Sequence, residues 1–245
     1  MVRAGNRNDE LRWSLRSAVA HMPHSRVWIV GYRPQWLDGV QYLPVSQDDH
    51  KHANTLANLR RLADDGPDEF VLFHDDMFVL QPTNPVPQLH RGLLADYIER
   101  RRRSTGGLGT YTQRAVITLQ LLRRIGVQDP LLSYELHTPM PMPREALSAA
   151  IDTLSGVKQP WGYAKRTLIG NLGPLGGQLA DDCKVSDDHQ WDMRGGAATV
   201  STWRYVSTAD GSFKYGKVGR WIRHRFPDPS AHEADARPRP RSALR

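Results

Sequence analysis

The chain has 245 residues, 39% hydrophobic and 24% charged, with 33 Lys+Arg against 26 Asp+Glu and a formal net charge of +7. That balance suits a globular chain with a real core and excludes collagen-like, coiled-coil and wholly disordered classes. No apolar run reaches the length of a membrane span, Asp9 and Glu10 stand where a secretory signal would need apolar residues, and the lone Cys183 rules out an internal disulfide and a cysteine-based zinc site, so a reducing cytoplasm is the expected compartment.

Residues 9–22 are predicted to form a helix, because Leu11, Leu15, Ala18, Val19 and Met22 share one face; Asn8 is the expected N-cap and Pro23 the stop. The short apolar run at 27–30 predicts a buried strand, and 41–45 a weaker one. Helical spacing returns over 52–63 through Leu56, Leu59 and Leu62. Two further apolar runs, 70–73 and 77–80, flank His74-Asp75-Asp76. Strand, helix, strand, helix, strand is the order of an α/β fold with a mostly parallel central sheet.

Beyond residue 80 the pattern is less regular. The Pro-rich stretch 81–90 reads as a loop. Residues 91–124 carry eight arginines against two acids, a local excess of +6 that holds nearly all of the net charge. The run Arg100 to Arg103 reads equally well as a solvated helix face or as a wall closing over an anionic ligand. Helices are predicted over 112–125 and 144–154, an extended segment over 134–137, a glycine loop over 170–177 and a late strand over 200–206. The boundaries expected are a single catalytic domain over 1–226, a basic helical insertion over 91–126, and a Pro/Arg-rich tail over 227–245 with a disordered end.

The strongest local chemistry is the pair Asp75 and Asp76. Carboxylates at the carboxyl edge of a strand suit a hard divalent cation, Mg²⁺ or Mn²⁺, which in turn clamps a diphosphate. The spacing alone fits a solvated acidic turn as well. His137, before the proline segment 139–143, reads by itself more readily as a structural residue than as a ligand. Neither glycine-rich loop ends in the Lys-Ser/Thr of a phosphate-binding loop, and no hydrolase, zinc-protease or kinase signature is present.

Four ordered blocks nevertheless resemble the Stealth-type sugar (phosphate) transferase family, and the chain is similar in length and wording to the short glycosyltransferases encoded by actinobacterial phages. The blocks are Asn8-Asp9-Glu10-Leu11-Arg12-Trp13-Ser14-Leu15-Arg16-Ser17 with the strand after it; Phe73-His74-Asp75-Asp76-Met77-Phe78; His137-Thr138-Pro139 with Arg166-Thr167-Leu168-Ile169-Gly170-Asn171; and Val206-Ser207-Thr208-Ala209-Asp210 with Arg225-Phe226-Pro227-Asp228-Pro229-Ser230. The resemblance implies a GT-A-like nucleotide-sugar-binding fold, a Mn²⁺ or Mg²⁺ ion, a nucleotide-diphosphate sugar donor and a hydroxyl acceptor on a protein or glycan. It implies Asp75, Asp76 and His137 at the metal, with Asp76, His137, Arg166 and Asp210 catalytic. Asn8, Arg12, Asn54 and Asp75 are implied on the donor side. Transfer of the sugar or of its 1-phosphate fits the same residues. Nucleic-acid binding ranks well below, because the basic charge is confined and lacks interleaved aromatic residues. A phage-encoded enzyme would work in the host cytoplasm. The family's opening strand has only Val2 to Gly5 to represent it before the helix, which leads us to expect weakened nucleotide binding or stability.

Overall fold

The computed structural model describes residues 1–5, 7–48, 50–105 and 109–234. In chain order its elements are α1 (Asp9–His21), β1 (Trp28–Gly31), β2 (Gln41–Pro44), α2 (Lys51–Asp65), β3 (Glu69–Leu72), β4 (Met77–Val79), β5 (Leu89–His90), α3 (Leu94–Thr105), α4 (Thr110–Arg124), β6 (Met140–Pro143), α5 (Arg144–Ser155), a 3₁₀ turn (Pro160–Gly162), α6 (Lys165–Leu172), β7 (Gln178–Leu179), β8 (Lys184–Val185), α7 (Asp188–Met193), α8 (Gly196–Val200), β9 (Tyr205–Thr208), α9 (Asp210–Lys214) and α10 (Lys217–Arg225). The chain is a mixed α/β fold. Among the described residues the strands form four small sheets, with parallel pairs β1–β2, β5–β7 and β8–β9 and antiparallel pairs β3–β6 and β4–β9. One mostly parallel sheet was expected and is not what these pairings make. The reason lies in the partners: β4 and β3 both pair with strands from the second half of the chain, whose direction the short apolar runs do not encode. No helix among the described residues is long and apolar enough to cross a membrane.

The chain divides into two compact units. The first comprises residues 2–44, 74–84 and 184 onwards. Its core gathers Phe78, Leu80, Val185, Val200, Val206, Phe213, Val218 and Ile222, with the rings of Phe78 and Phe213 stacked 5.6 Å apart. α1 lies along β4 and closes the backbone edge that β9 leaves open. The Ser14 hydroxyl donates to the Met77 carbonyl at 2.6 Å, and the Val79 N–H donates to the Ser17 hydroxyl at 3.0 Å. Spaced three apart, the two serines fall on one helix face and do the work of a neighbouring strand. Val2 adds a single parallel bridge to Gly31.

The same helix ties down the end of the described chain. Arg12 Nη1 and Arg16 Nε each donate to the Glu233 carboxylate at 2.8 Å, and Glu233 is only 1% exposed. Arg12 also stacks over Trp36 at 4.4 Å. Residues 227–234 are therefore anchored to α1. The end of the tail, for which disorder was expected, lies outside the described residues.

The second unit comprises residues 45–73 and 85–183 together with Met1. α2 packs on α5, and α5 on α6, through Leu56, Leu59, Leu147, Leu154 and Leu168. β6 alternates buried Met140 and Met142 with Pro141 and Pro143, so the N–H groups that proline lacks fall on alternate positions of a short strand paired only with β3. The extended segment 132–138 is held by side chains of α6 and returns the favour. Asn171 bonds both the N–H and the carbonyl of Leu132, Thr167 accepts from the Tyr134 N–H, and Glu135 caps the Thr167 N–H.

Three local expectations change. The glycine loop expected over 170–177 begins as the last turn of α6, and Gly170 is required there because a Cβ would stand 2.4 Å from the Tyr134 ring. The late strand starts at Tyr205, since 196–200 is helical. Asn8 occupies the N-cap position in a left-handed conformation, but its side-chain amide donates to the Arg3 carbonyl and caps nothing.

Ser17→Ala leaves the buried Val79 N–H without a partner and is expected to cost about 1–3 kcal/mol. Chemical denaturation checks this, with a loss near zero counting against the serine contacts as a stabilising device.

Candidate functional site

The residues expected to carry chemistry fall into two groups, one in each unit. In the first unit, Asp75 and Asp76 immediately precede β4, Asp210 opens α9 just after β9, and Glu10 sits in the first turn of α1. β4–β9 pairing and the α1 serine contacts bring these three segments to one end of the small sheet. The Asp76 carbonyl accepts from the Thr208 N–H at 3.1 Å, and the Thr208 hydroxyl donates to Glu10 at 2.8 Å. Cations also face the acids. Lys184 of β8 lies 3.3 Å from Asp76, and Arg3 lies 3.2 Å from the exposed Asp210 with Asp75 and Asp76 nearby.

The electrostatics are unbalanced toward negative charge. Burial pushes the Glu10 carboxyl up to about 8, the Thr208 hydrogen bond works against that, and the neighbouring charges of Asp75, Asp210 and Asp76 raise it further. Burial and the adjacent Asp76 likewise push Asp75 up, with the N-terminal ammonium and then Arg3 opposing. Among the described residues no three His, Cys, Asp or Glu side chains converge so as to hold a metal ion by themselves. The donor chemistry still fits a hard cation: Mg²⁺ is commonly held by one or two carboxylates, with water and substrate phosphates completing its shell. Asp75 and Asp76 are the pair that fits, and Lys184 now supplies part of the positive charge they require.

The second unit holds His137, Arg166 and Asn54. Residue 137 ends the extended segment that α6 pins. Both Asp182 carboxylate oxygens lie 3.0 Å from His137 Nδ1, and one also accepts the His137 backbone N–H at 3.1 Å. Arg91 approaches the same carboxylate at 3.4 Å. Burial would raise the Asp182 carboxyl, but the His137 hydrogen bond and charge, with Arg91, outweigh it and hold the group at about 2. In the neutral form of the ring, an Nδ1–H donated to the Asp182 carboxylate leaves Nε2 as the lone-pair nitrogen. With 39% of its side chain exposed, His137 is accessible for proton transfer or for a ligand. Arg166 is buried beside it and donates to the Thr138 carbonyl at 2.7 Å.

Two donor-side expectations meet other roles in the structure. The Arg12 guanidinium is paired with Glu233 and stacked on Trp36, and both ends of the Asn54 amide bond the backbone of Asp48, fixing the turn into α2. The run Arg100 to Arg103 lies along α3 and is exposed, with Arg103 paired to Glu99 one turn back. The unanticipated members are Glu10, Lys184, Arg3 and Asp182. Glu10 lies inside a block singled out from sequence, but as a helix-start acid it looked like ordinary first-turn electrostatics. Asp182 carries no local signal, being 45 residues from its histidine.

No protein-family model matches the chain, and no curated protein matches it.

The raised Glu10 carboxyl has a definite thermodynamic sign. An unfolded chain releases this proton near its ordinary 4.5, whereas the folded one keeps it to about 8, so the associated stability is full at low pH and is lost as pH rises through that window. Glu10→Gln retains an oxygen for Thr208 and cannot ionise. Thermal melts are expected to show the variant gaining on the parent from pH 5 to pH 9; a difference independent of pH would contradict the burial of Glu10 as an acid.

Proposed function

We propose that this chain is a nucleotide-sugar-dependent glycosyltransferase of the Stealth type with a GT-A-like fold, moving a sugar from a nucleoside diphosphate to a hydroxyl acceptor on a protein or glycan. The observation that carries the proposal is the grouping of Glu10, Asp75, Asp76 and Asp210, whose carboxyls at 10 and 75 stay raised despite Arg3, Lys184 and the N-terminal ammonium, on segments that coincide with three of the four family-like blocks. A carboxylate group of this kind is costly unless a cation joins it. Asp75 and Asp76 would hold Mn²⁺ or Mg²⁺, which when bound supplies charge neutralisation for the leaving diphosphate.

The remaining roles belong to the chain's own side chains. In the transfer, the bond between the anomeric carbon and the diphosphate oxygen breaks and a new bond forms to the acceptor oxygen. The acceptor proton passes to a carboxylate, for which Asp210 is the exposed candidate. Arg166 suits a phosphate group by its fork of N–H donors. His137, oriented by Asp182, suits proton transfer through Nε2. Sugar-1-phosphate transfer uses the same donor and the same cation, with attack at phosphorus in place of carbon.

Incubation with a panel of nucleotide sugars and Mn²⁺ tests the proposal. Release of nucleoside diphosphate is expected, whereas release of monophosphate would assign sugar-phosphate transfer. Asp76→Ala is expected to abolish turnover; full activity in that variant would sink the reading. Asp182→Asn is predicted to lower kcat by about 10² or more with little change in KM, because a misoriented base forfeits most of the roughly 10²–10⁴ that base catalysis contributes. An affinity for nucleic acid that falls steeply with salt, without sugar transfer, would instead favour the basic segment as the functional element.

A further inference from the structure

A second group of positive side chains in the second unit lies where α2, α4 and α6 come together with the 3₁₀ turn. Arg114 of α4 reaches His52 in the first turn of α2, its Nη1 lying 3.0 Å from Nδ1. Lys165 opens α6 with only 8% exposure, and its ammonium donates to the Trp161 carbonyl at 3.0 Å. Two aromatic rings stand beside these groups with exposed surface. Trp161 meets His50 edge to face at 5.6 Å, and Tyr111 lies beneath the Arg114 guanidinium at 5.5 Å.

The charges there are poorly matched. Among the described residues neither Arg114 nor Lys165 forms an ion pair with a carboxylate; Glu135 is the acid that acts on Lys165, and its oxygen is engaged by the Thr167 N–H. Burial, then the charges of Arg114, Lys165, Lys51 and His50, hold His52 down at about 4, so the imidazole is neutral. Since Nδ1 accepts from Arg114, Nε2 carries the remaining proton and is a donor. Burial also lowers Lys165, to about 8, with Glu135 opposing and Arg114 adding to the effect. A nearly buried ammonium, a guanidinium and an imidazole N–H make a set of donors with one carboxylate, Glu135, acting on the ammonium and no ion pair to either cation among the described residues. Such a set is expensive to fold unless an anion with several acceptor oxygens occupies it. The tetrahedral oxygens of phosphate match convergent N–H donors, and exposed Trp and Tyr faces beside a phosphate suit the ring that carries it.

We propose that His52, Arg114 and Lys165 bind the phosphate group of a phosphorylated small molecule, with Trp161 and Tyr111 packing against its sugar ring. This site uses none of the residues of the acidic group and stands without the transferase assignment. If that assignment holds, the site gives the second unit a phosphorylated ligand of its own.

Isothermal titration of the whole chain, without divalent metal and without nucleotide, tests it with inorganic phosphate, glucose 1-phosphate and glucose as probes. Saturable binding of inorganic phosphate is expected, tighter binding of the sugar phosphate, and none of glucose. Arg114→Gln and Lys165→Met are each expected to weaken phosphate at least tenfold. Lys165→Met replaces a buried charge by an apolar chain of similar length, so its melting temperature should match or exceed the parent's. Trp161→Ala should weaken glucose 1-phosphate and leave inorganic phosphate unchanged. Absence of saturable phosphate binding, or undiminished binding in both folded cation variants, overturns the site. Equal loss for both probes in Trp161→Ala overturns the role of the ring. Because no donor turnover is measured, failure here is distinct from failure of the transferase reading.

Discussion

The first unit depends on the seating of α1 along β4. A three-residue strand has too few backbone bonds to hold itself, and β9 satisfies only one of its edges. Ser14 and Ser17 satisfy the other from a helix, and both hydroxyls are buried. That contact sets the rotation of α1 about its axis. With the serines turned to the strand, Glu10 one turn earlier reaches Thr208 beside Asp76, while Arg12 and Arg16 turn to Glu233. A structural hydrogen-bond pair thereby positions an acid in the candidate site and fastens the far end of the described chain.

The second unit uses the same device. Residues 132–138 are extended but mostly unpaired with any strand, and α6 supplies the missing partners through Asn171, Thr167 and Arg166. His137 therefore stands at the end of a segment whose backbone is fixed by side chains. Asp182 then fixes its ring. Helix residues three and four apart serve as substitutes for a neighbouring strand in both units, which accounts for the burial of Ser14, Ser17, Thr167 and Asn171.

Charge imbalance appears twice, with opposite sign. Glu10 and Asp75 are held partly protonated by burial and by neighbouring acids, and His52 is held neutral by burial and by neighbouring cations. Neither arrangement lowers the energy of the folded chain on its own, since desolvated like charges repel strongly. Structural ion pairs look different: Glu233, nearly sealed from water, has two guanidiniums together with the N–H and the hydroxyl of Ser230 to match it. The carboxylate at 233, matched by guanidiniums, contrasts with those at 10 and 75, which burial and neighbouring acids raise.

Sequence by itself determined the helices over 9–21, 51–65, 110–124 and 144–155 to within two residues, the α/β class, the position of the acidic pair and the loop expected over 81–90 except for its last two residues, which form β5, because apolar period and turn chemistry are local properties of the chain. Only the tertiary structure decided strand partners, since short apolar runs such as 70–73 and 77–80 carry no direction; β3 and β4 both proved antiparallel to partners more than 60 residues away. It also decided which charges are matched. Arg12 and Asn54 looked like donor-binding groups and are bound to Glu233 and Asp48, while Asp182 and Lys184, silent in the sequence, stand against His137 and Asp76. Hydrogen bonding acts over about 3 Å in space, and no pattern along a chain encodes a partner 45 or 108 residues away.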